Sequence, residues 1–285
     1  MIRGRGLRML PAAVFLAAMC GGAPAEAVDP PSLTEPSWRA VADGLEFVRV
    51  EARRYLRTGS PGVAVVRIDP RRARIEPHHE REYPREARAT IDGWQDRLGA
   101  PVLLNAGLYG EDRRHLGILR RDGRDIGGVP HATWKGILVS GPPTPDLPAA
   151  AVLDLSQPRD EALAGRYAQA VQSMMLFGRG GELRVRKSER AAPRSVVAED
   201  ARGRIYLFVT EGSFTLWETG LLLVESGWEL MLAMALDGGN EANLAVETGA
   251  VRYRSHHGED PEGDPDFFRS SATLPCVLAV RPQSP

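Results

Sequence analysis

The stretch "LMLAMAL", Leu230 to Leu236, leaves little freedom in how this chain can fold. It offers no polar face, so it reads as a strand buried on both sides rather than one lying half in water. It then runs straight into Asp237-Gly238-Gly239 and resumes as a second apolar segment, "ANLAVE". The same design recurs in "LEFVRVEA", "GVAVVRID", "PVLLNAG", "LGILRRDG" and "WKGILVS". It returns further on in "AQAVQSMMLF", "VVAED", "GRIYLFVTEG" and "TLPCVLAV". Turn residues bound these runs and few helices separate them. The pattern predicts an α/β or α+β fold: a mixed β-sheet core with a few flanking helices in a single domain.

Two helices are expected. "ARATIDGWQDRLG" spaces Ile91, Trp94 and Leu98 at helical intervals and stops at Gly99. "TLWETGLLLVESG" puts Thr215 and Glu218 at capping-box spacing, with Trp217, Leu221, Val224 and Trp228 on one apolar face. Glu218 therefore reads as a helix cap rather than a catalyst. The proline-broken loop "SGPPTPDLPA", Ser140 to Ala149, is the one candidate linker, and motifs on both sides of it argue against separate domains.

With 285 residues, 36 Lys+Arg against 37 Asp+Glu and 43% hydrophobic residues, the chain can build a full core. Its balanced charge excludes the clustered basic excess that a nucleic-acid partner requires. The first segment has a basic start, an apolar middle from Met9 to Cys20, and Ala25-Glu26-Ala27. These parts predict a signal peptide over 1–27, a leader over 28–44 and the functional domain over 45–285. The mature protein is then periplasmic or extracellular. Acylation of Cys20 is the less favoured alternative, because bulky Met19 precedes it and a good cleavage site follows. No run reaches the roughly 18 apolar residues of a spanning helix, so no stable membrane insertion is expected after cleavage. Cys276 would remain the only cysteine, without a disulfide, and its apolar neighbours mark it as a core residue.

Asp237 admits two readings. Asp-Gly is a strong hairpin-turn signal. Equally, a carboxylate at the end of a buried strand sits at the mouth of the core, where burial raises its pKa toward acid–base use. Gly238 and Gly239 would let a ligand approach the backbone there. Asn105 ends "PVLLN" in the same manner, Arg194 and Ser195 precede a strand, and Glu211 ends "IYLFVTE". A guanidinium can grip phosphate oxygens in a fork, and an amide can serve a sugar hydroxyl or a phosphate. The adjacent pairs His78-His79 and His256-His257 point apart on a strand and suggest no metal centre. The acidic stretch "HHGEDPEGDPDFF" lacks calcium-loop spacing and reads as a solvated loop. His115 and His131 read as structural or exposed.

Taken in order, "NAG" at Asn105, "GIL" at Gly117, "WKGILV" at Trp134, "VQS" at Val171, "RS" at Arg194, an acidic turn at Glu211, a helix, "LDGG" and "LPCVLAV" resemble the phosphodiester glycosidase domain family. The resemblance spans about Val63 to Val280 and places Asn105, Arg194 and Asp237 on family motifs. Two departures stand out. Gln172 and Ser173 match, but Met174-Met175 replace Gly-Pro, and Asn240 replaces the serine after the two glycines.

The resemblance implies hydrolysis of a sugar-1-phosphate diester in the envelope or exopolysaccharide, N-acetylglucosamine-1-phosphodiesters being one such substrate. Asp237 and Glu211 would be the catalytic carboxylates, and Arg194 would bind phosphate. Asn105, Ser195, Gln172, Ser173, Gly238, Gly239 and Asn240 would line the substrate. No cofactor or metal is required, and calcium stays open as an accessory ion. Two alternatives remain: an inactive glycan-binding protein of the same fold, motivated by the departures, and a phosphodiesterase cutting P–O bonds, for which no metal-ligand cluster is evident.

Overall fold

The computed structural model describes Met1 and residues 36–84, 88–255, 258–259 and 271–283. The expected signal peptide, Cys20, His256-His257 and most of the acidic stretch lie outside the described residues. Residues Pro31–Pro285 form one compact unit.

Two β-sheets make up the α+β fold. The larger has eleven strands. Along it run Arg39–Ala42, Leu45–Glu51, Gly62–Ile68, Ile205–Thr210, Ser195–Asp200, Leu230–Ala235 and Gln169–Phe177, then Leu119–Arg121 and Arg124–Asp125. Gly136–Ser140 pairs with Gln169–Phe177 and with Ala150–Asp154. The smaller sheet runs Gly258–Glu259, Arg252–Arg254, Leu244–Glu247, Val102–Asn105, Cys276–Pro282, Ala73–His79. Every pairing among the described residues is antiparallel, so the core takes the form of two antiparallel sheets. The fold also reaches further toward the N-terminus than the expected start at residue 45, because Arg39–Ala42 pairs with Leu45–Glu51. The Ser140–Ala149 loop joins two paired strands of one sheet, and so is no domain linker.

Alternation along the strands explains the continuous apolar runs. Val197, Leu207, Val209, Leu232, Met234 and Leu236 of the large sheet face Val102, Leu104, Leu244, Val246 and Leu278 of the small one across a shared core. Their sequence neighbours Val196, Ala198, Tyr206, Phe208 and Ala233 point the other way, against Phe214, Leu222, Leu223 and Trp228. On the small sheet, Leu103, Ala245, Val277 and Ala279 pack under Ile91 and Trp94. Each sheet is thus covered by the other sheet on one face and by a helix on the other. That layering buries both faces of an antiparallel strand without any parallel crossover.

The helix Ile91–Leu98 starts at Thr90, which accepts the Gly93 N–H, and stops at Gly99 with φ 58°. The helix Leu216–Val224 has both halves of the Thr215–Glu218 capping box. Its buried face differs from the expected one. Thr219, Gly220, Leu222 and Leu223 are buried, whereas Val224 is 41% exposed and Trp217 lies under the Lys187 ammonium. The physical reason is that "LLLV" is apolar all round and selects no face. Gly220 settles the matter, since it lets the helix backbone approach Leu183 and Leu176. Trp228, expected on that face, is buried beyond the helix end, stacked on Tyr206 and Phe208.

Removing the cap tests this account. Thr215→Ala should cost about 1 kcal/mol and lower Tm by about 2–4 °C, read by thermal unfolding.

Candidate active site

Two chain crossings between the sheets meet at one point. Val102–Asn105 lies in the small sheet, and the chain then passes to Leu119–Arg121 in the large one. Leu230–Ala235 lies in the large sheet, and the chain then passes to Leu244–Glu247 in the small one. Asp237 sits on this second crossing and turns no hairpin, because the strands on either side of it belong to different sheets. The backbone stitches it from both sides. Leu236 N–H bonds Ser195 O at 2.9 Å, Asp237 N–H bonds Gly107 O at 2.9 Å, and Gly239 N–H bonds Pro193 O at 2.9 Å.

The Asn105 side chain lies at the centre of the crossing, 1% exposed. Its Nδ2 donates to the Asp237 carbonyl at 2.9 Å, while its Oδ1 accepts from Ser195 Oγ at 2.5 Å and from Asn243 N–H at 3.2 Å. Asn105 and Ser195 therefore come together as sequence reading expects, but as the buried tie beneath Asp237. Gly238 has an equally plain reason to be glycine: a Cβ there would lie 2.7 Å from Pro193 O and 3.3 Å from a terminal nitrogen of Arg194. Gly239 adopts φ 73°, in the left-handed region. Asn240 is exposed on the turn, and its carbonyl accepts from Asn243 Nδ2 at 2.7 Å.

The Asp237 carboxyl is half-buried and accepts the Gly238 N–H at 3.0 Å. Burial, reinforced by the negative charge of Glu241, pushes its pKa up to about 6, against the opposing pull of the Gly238 N–H and Arg190. Arg194 stands on the other side. Its Nε donates to Phe214 O at 2.7 Å and a terminal nitrogen to Arg190 O at 2.6 Å. Among the described residues it has no carboxylate partner. Burial first, and then the charge of Arg190, lowers its pKa. A guanidinium that is out of water and not neutralised, with a glycine beside it, is a ready receptor for an anion.

Glu211 is placed differently from the expected second catalytic carboxylate. Its Oε1 accepts from Arg49 Nε at 2.6 Å and Tyr253 OH at 3.1 Å, and its Oε2 from Arg49 at 2.6 Å and Ser60 Oγ at 2.7 Å. Burial alone would raise its pKa, but the Arg49, Ser60 and Tyr253 bonds hold it below the ordinary value. All four of its acceptor positions are used internally, which leaves none for a substrate.

Gln172 is also fully engaged: it accepts from the N–H groups of Ile118 and His131 and donates to the carbonyls of His131 and Trp134. It clamps two loops together. Ser173 Oγ is buried and donates to the Ala235 carbonyl. Met174 and Met175 continue the strand opposite Ala235 and Met234, so the departure from Gly-Pro is absorbed into the sheet.

His115 is buried against Gly107, where a Cβ would lie 2.2 Å from its Nε2, and burial pushes its pKa down to about 4. His131 stacks on Trp134 with ring centroids 3.9 Å apart. Cys276 is fully buried and its thiol pKa is raised by burial, as a core cysteine's should be. Among the described residues no three His, Cys, Asp or Glu side chains converge on a point that could hold a metal. A cavity of about 1010 Å³, with Leu163, Arg166, Arg184 and Glu199 in its wall, lies elsewhere and contains none of these site residues.

Sequence reading missed Glu241 and Arg190. Glu241 follows "DGGN" on the short Gly239–Glu241 turn, and Arg190 precedes Arg194 by four residues. Proximity to the motifs was the available signal, but only the folded turn shows that both charges act on Asp237.

The fold and the site together define an α+β protein of two antiparallel sheets, with Asp237 on a crossing between the sheets and Arg194 on the neighbouring loop of the large one. The phosphodiester glycosidase family model matches residues 99–274, and the chain belongs to this family. The zebrafish N-acetylglucosamine-1-phosphodiester alpha-N-acetylglucosaminidase catalytic domain, auto-inhibited by its pro-peptide, shares the fold. Its TM-score is 0.56 at 16% identity, over 88% of this chain and 87% of that one. A Burkholderia pseudomallei protein described as exported has TM-score 0.53 at 11% identity, over 80% of this chain and 76% of that one. A Synechocystis protein has TM-score 0.50 at 14% identity, over 85% and 64%. No curated protein matches the sequence significantly.

Glu211→Gln tests the structural role of this carboxylate. Breaking the ion pair with Arg49 should cost about 2 kcal/mol in urea unfolding. The thermal and urea transitions should stay single and cooperative, because the hydrogen bonds of Glu211 all point into the fold and its loss weakens one unit.

Proposed function

We propose that the protein is an exported hydrolase that cleaves a sugar-1-phosphate diester of the cell envelope or exopolysaccharide, with N-acetylglucosamine as the first sugar to test. The observation that carries this reading is Arg194: a half-buried guanidinium without a carboxylate partner, facing the turn that carries a carboxyl group with a pKa near neutrality. Family membership supports the reaction class. Export rests on the signal-like pattern of 1–27 and accords with the likeness to an exported protein.

In the proposed reaction, water oxygen bonds to the anomeric carbon as the C–O bond to phosphate breaks. The bonding pair leaves on the phosphate oxygen, giving a free sugar and a phosphomonoester. Phosphate is a good leaving group once its charge is met, and Arg194 meets it. Asp237 in its ionised form accepts a proton from the attacking water, and with Glu241 stabilises positive charge developing at the sugar ring. Glu241 thus takes the place first given to Glu211. Asn105 acts through Asp237, whose carbonyl it holds, and so is a positioning residue. Asn240, exposed where a serine is usual, is the side chain on the turn free to meet the sugar.

Two measurements test this. Asp237→Asn should reduce release of reducing sugar at least about 10²-fold with little change in KM, as for loss of a group acting on the reacting atoms. For the parent, kcat/KM should rise with pH through about 6 and level off above 7, because the deprotonated carboxyl is the active form. A profile that falls through 6 would instead make Asp237 the acid. Ligand binding without release from any sugar-1-phosphate diester would favour a glycan-binding protein.

A further inference from the structure

Arg194 accounts for one negative charge, yet the loop that carries it brings a second cation. From Arg190 to Arg194 the chain curls so that the Arg194 guanidinium donates to the Arg190 carbonyl at 2.6 Å. The same loop is pinned to the turn after Asp237 by Gly239 N–H on Pro193 O at 2.9 Å. Arg190 is exposed, and among the described residues its side chain has no carboxylate partner. Its carbonyl lies 2.6 Å from the Arg194 guanidinium, which places residue 190 beside the same turn, and its charge acts on both Arg194 and Asp237. Of the acids in the segment, Glu182 is bonded to Arg184 at 2.9 Å, and Glu189 is exposed and points toward Arg57, 3.6 Å away. Two unneutralised guanidinium groups repel each other, and a bound dianion relieves that repulsion where a single charge would leave half of it.

We propose that this site selects leaving groups bearing two anionic phosphates, a diphosphate or a diester with a phosphomonoester beside it, with Arg194 taking the first phosphate and Arg190 the second. The proposal rests on the phosphodiester glycosidase reading for its reaction, but not for its binding. A singly charged diester is then cleaved without the help of Arg190. Arg190 meets the far charge of the leaving group, so it sets specificity chiefly through KM.

The test uses the mature chain, Arg190→Gln, Arg190→Lys, and Arg186→Gln as a control that removes the same charge from an exposed neighbouring position. Three N-acetylglucosamine substrates are compared: the methyl phosphodiester, the nucleoside diphosphate sugar, and a phosphodiester to a sugar carrying a phosphomonoester. Arg190→Gln should raise KM at least about tenfold more for either or both of the doubly anionic substrates than for the methyl diester, with Arg190→Lys intermediate and Arg186→Gln near parent. Which of the two dianionic substrates responds identifies the source of the second charge. In parallel, calorimetry with inorganic pyrophosphate and phosphate should show about tenfold tighter pyrophosphate binding in the parent and no preference in Arg190→Gln. Equal effects of Arg190→Gln on all three substrates, no effect on any, or a pyrophosphate preference that survives the substitution would overturn the proposal. If no substrate is cleaved while the pyrophosphate preference holds and depends on Arg190, the glycosidase reading fails and the dianion site stands.

Discussion

One buried amide holds the site together. The Asn105 side chain, at the start of the first crossing, bonds Asp237 and Asn243 on the second crossing and Ser195 on a strand of the large sheet at once. An amide can do this because it carries donors and an acceptor on one small planar group. An apolar residue of similar size would leave the Asp237 carbonyl, the Ser195 hydroxyl and the Asn243 N–H with one partner fewer each, in a place without water. The position of Asp237 is therefore a consequence of how the two sheets are joined, and the site is as rigid as the core beneath it.

The charges at this junction are kept apart. Among the described residues neither Asp237 nor Glu241 forms an ion pair with Arg194 or Arg190. A direct Arg194–Asp237 bridge would stabilise the protein and close the site. Instead burial, with the charge of Glu241, pushes the carboxyl pKa up to about 6, and the guanidinium keeps backbone carbonyls as its partners. The contrast with Glu211 is informative: it is equally at the end of an apolar strand, yet Arg49, Ser60 and Tyr253 consume it.

Strands, helix caps and the burial of both strand faces were legible in the sequence because they follow from local periodicity. The Asp-Gly signal shows where that legibility ends. At Asp122-Gly123 both residues have positive φ, 50° and 76°, and the pair turns a hairpin between Leu119–Arg121 and Arg124–Asp125. At Asp237-Gly238 the glycine has φ −115° and the chain crosses between sheets. The dipeptide is the same; the difference lies in which strands pair, and that depends on contacts distant along the chain. For the same reason Gln172 could be seen as notable but not as a clamp on Ile118, His131 and Trp134, since all three partners come from the loops that it organises. Arg194 and Asp237 were visible as motif residues, while the absence, among the described residues, of an oppositely charged group bonded to either was visible only in the fold.

The central claim is that this junction breaks the bond between an anomeric carbon and a phosphate oxygen. Hydrolysis in oxygen-18 water of an N-acetylglucosamine-1-phosphodiester, followed by mass measurement of both products, tests it most directly. The account predicts label in the free sugar and none in the phosphomonoester. Label in the phosphomonoester would mean that the P–O bond breaks, and would contradict it.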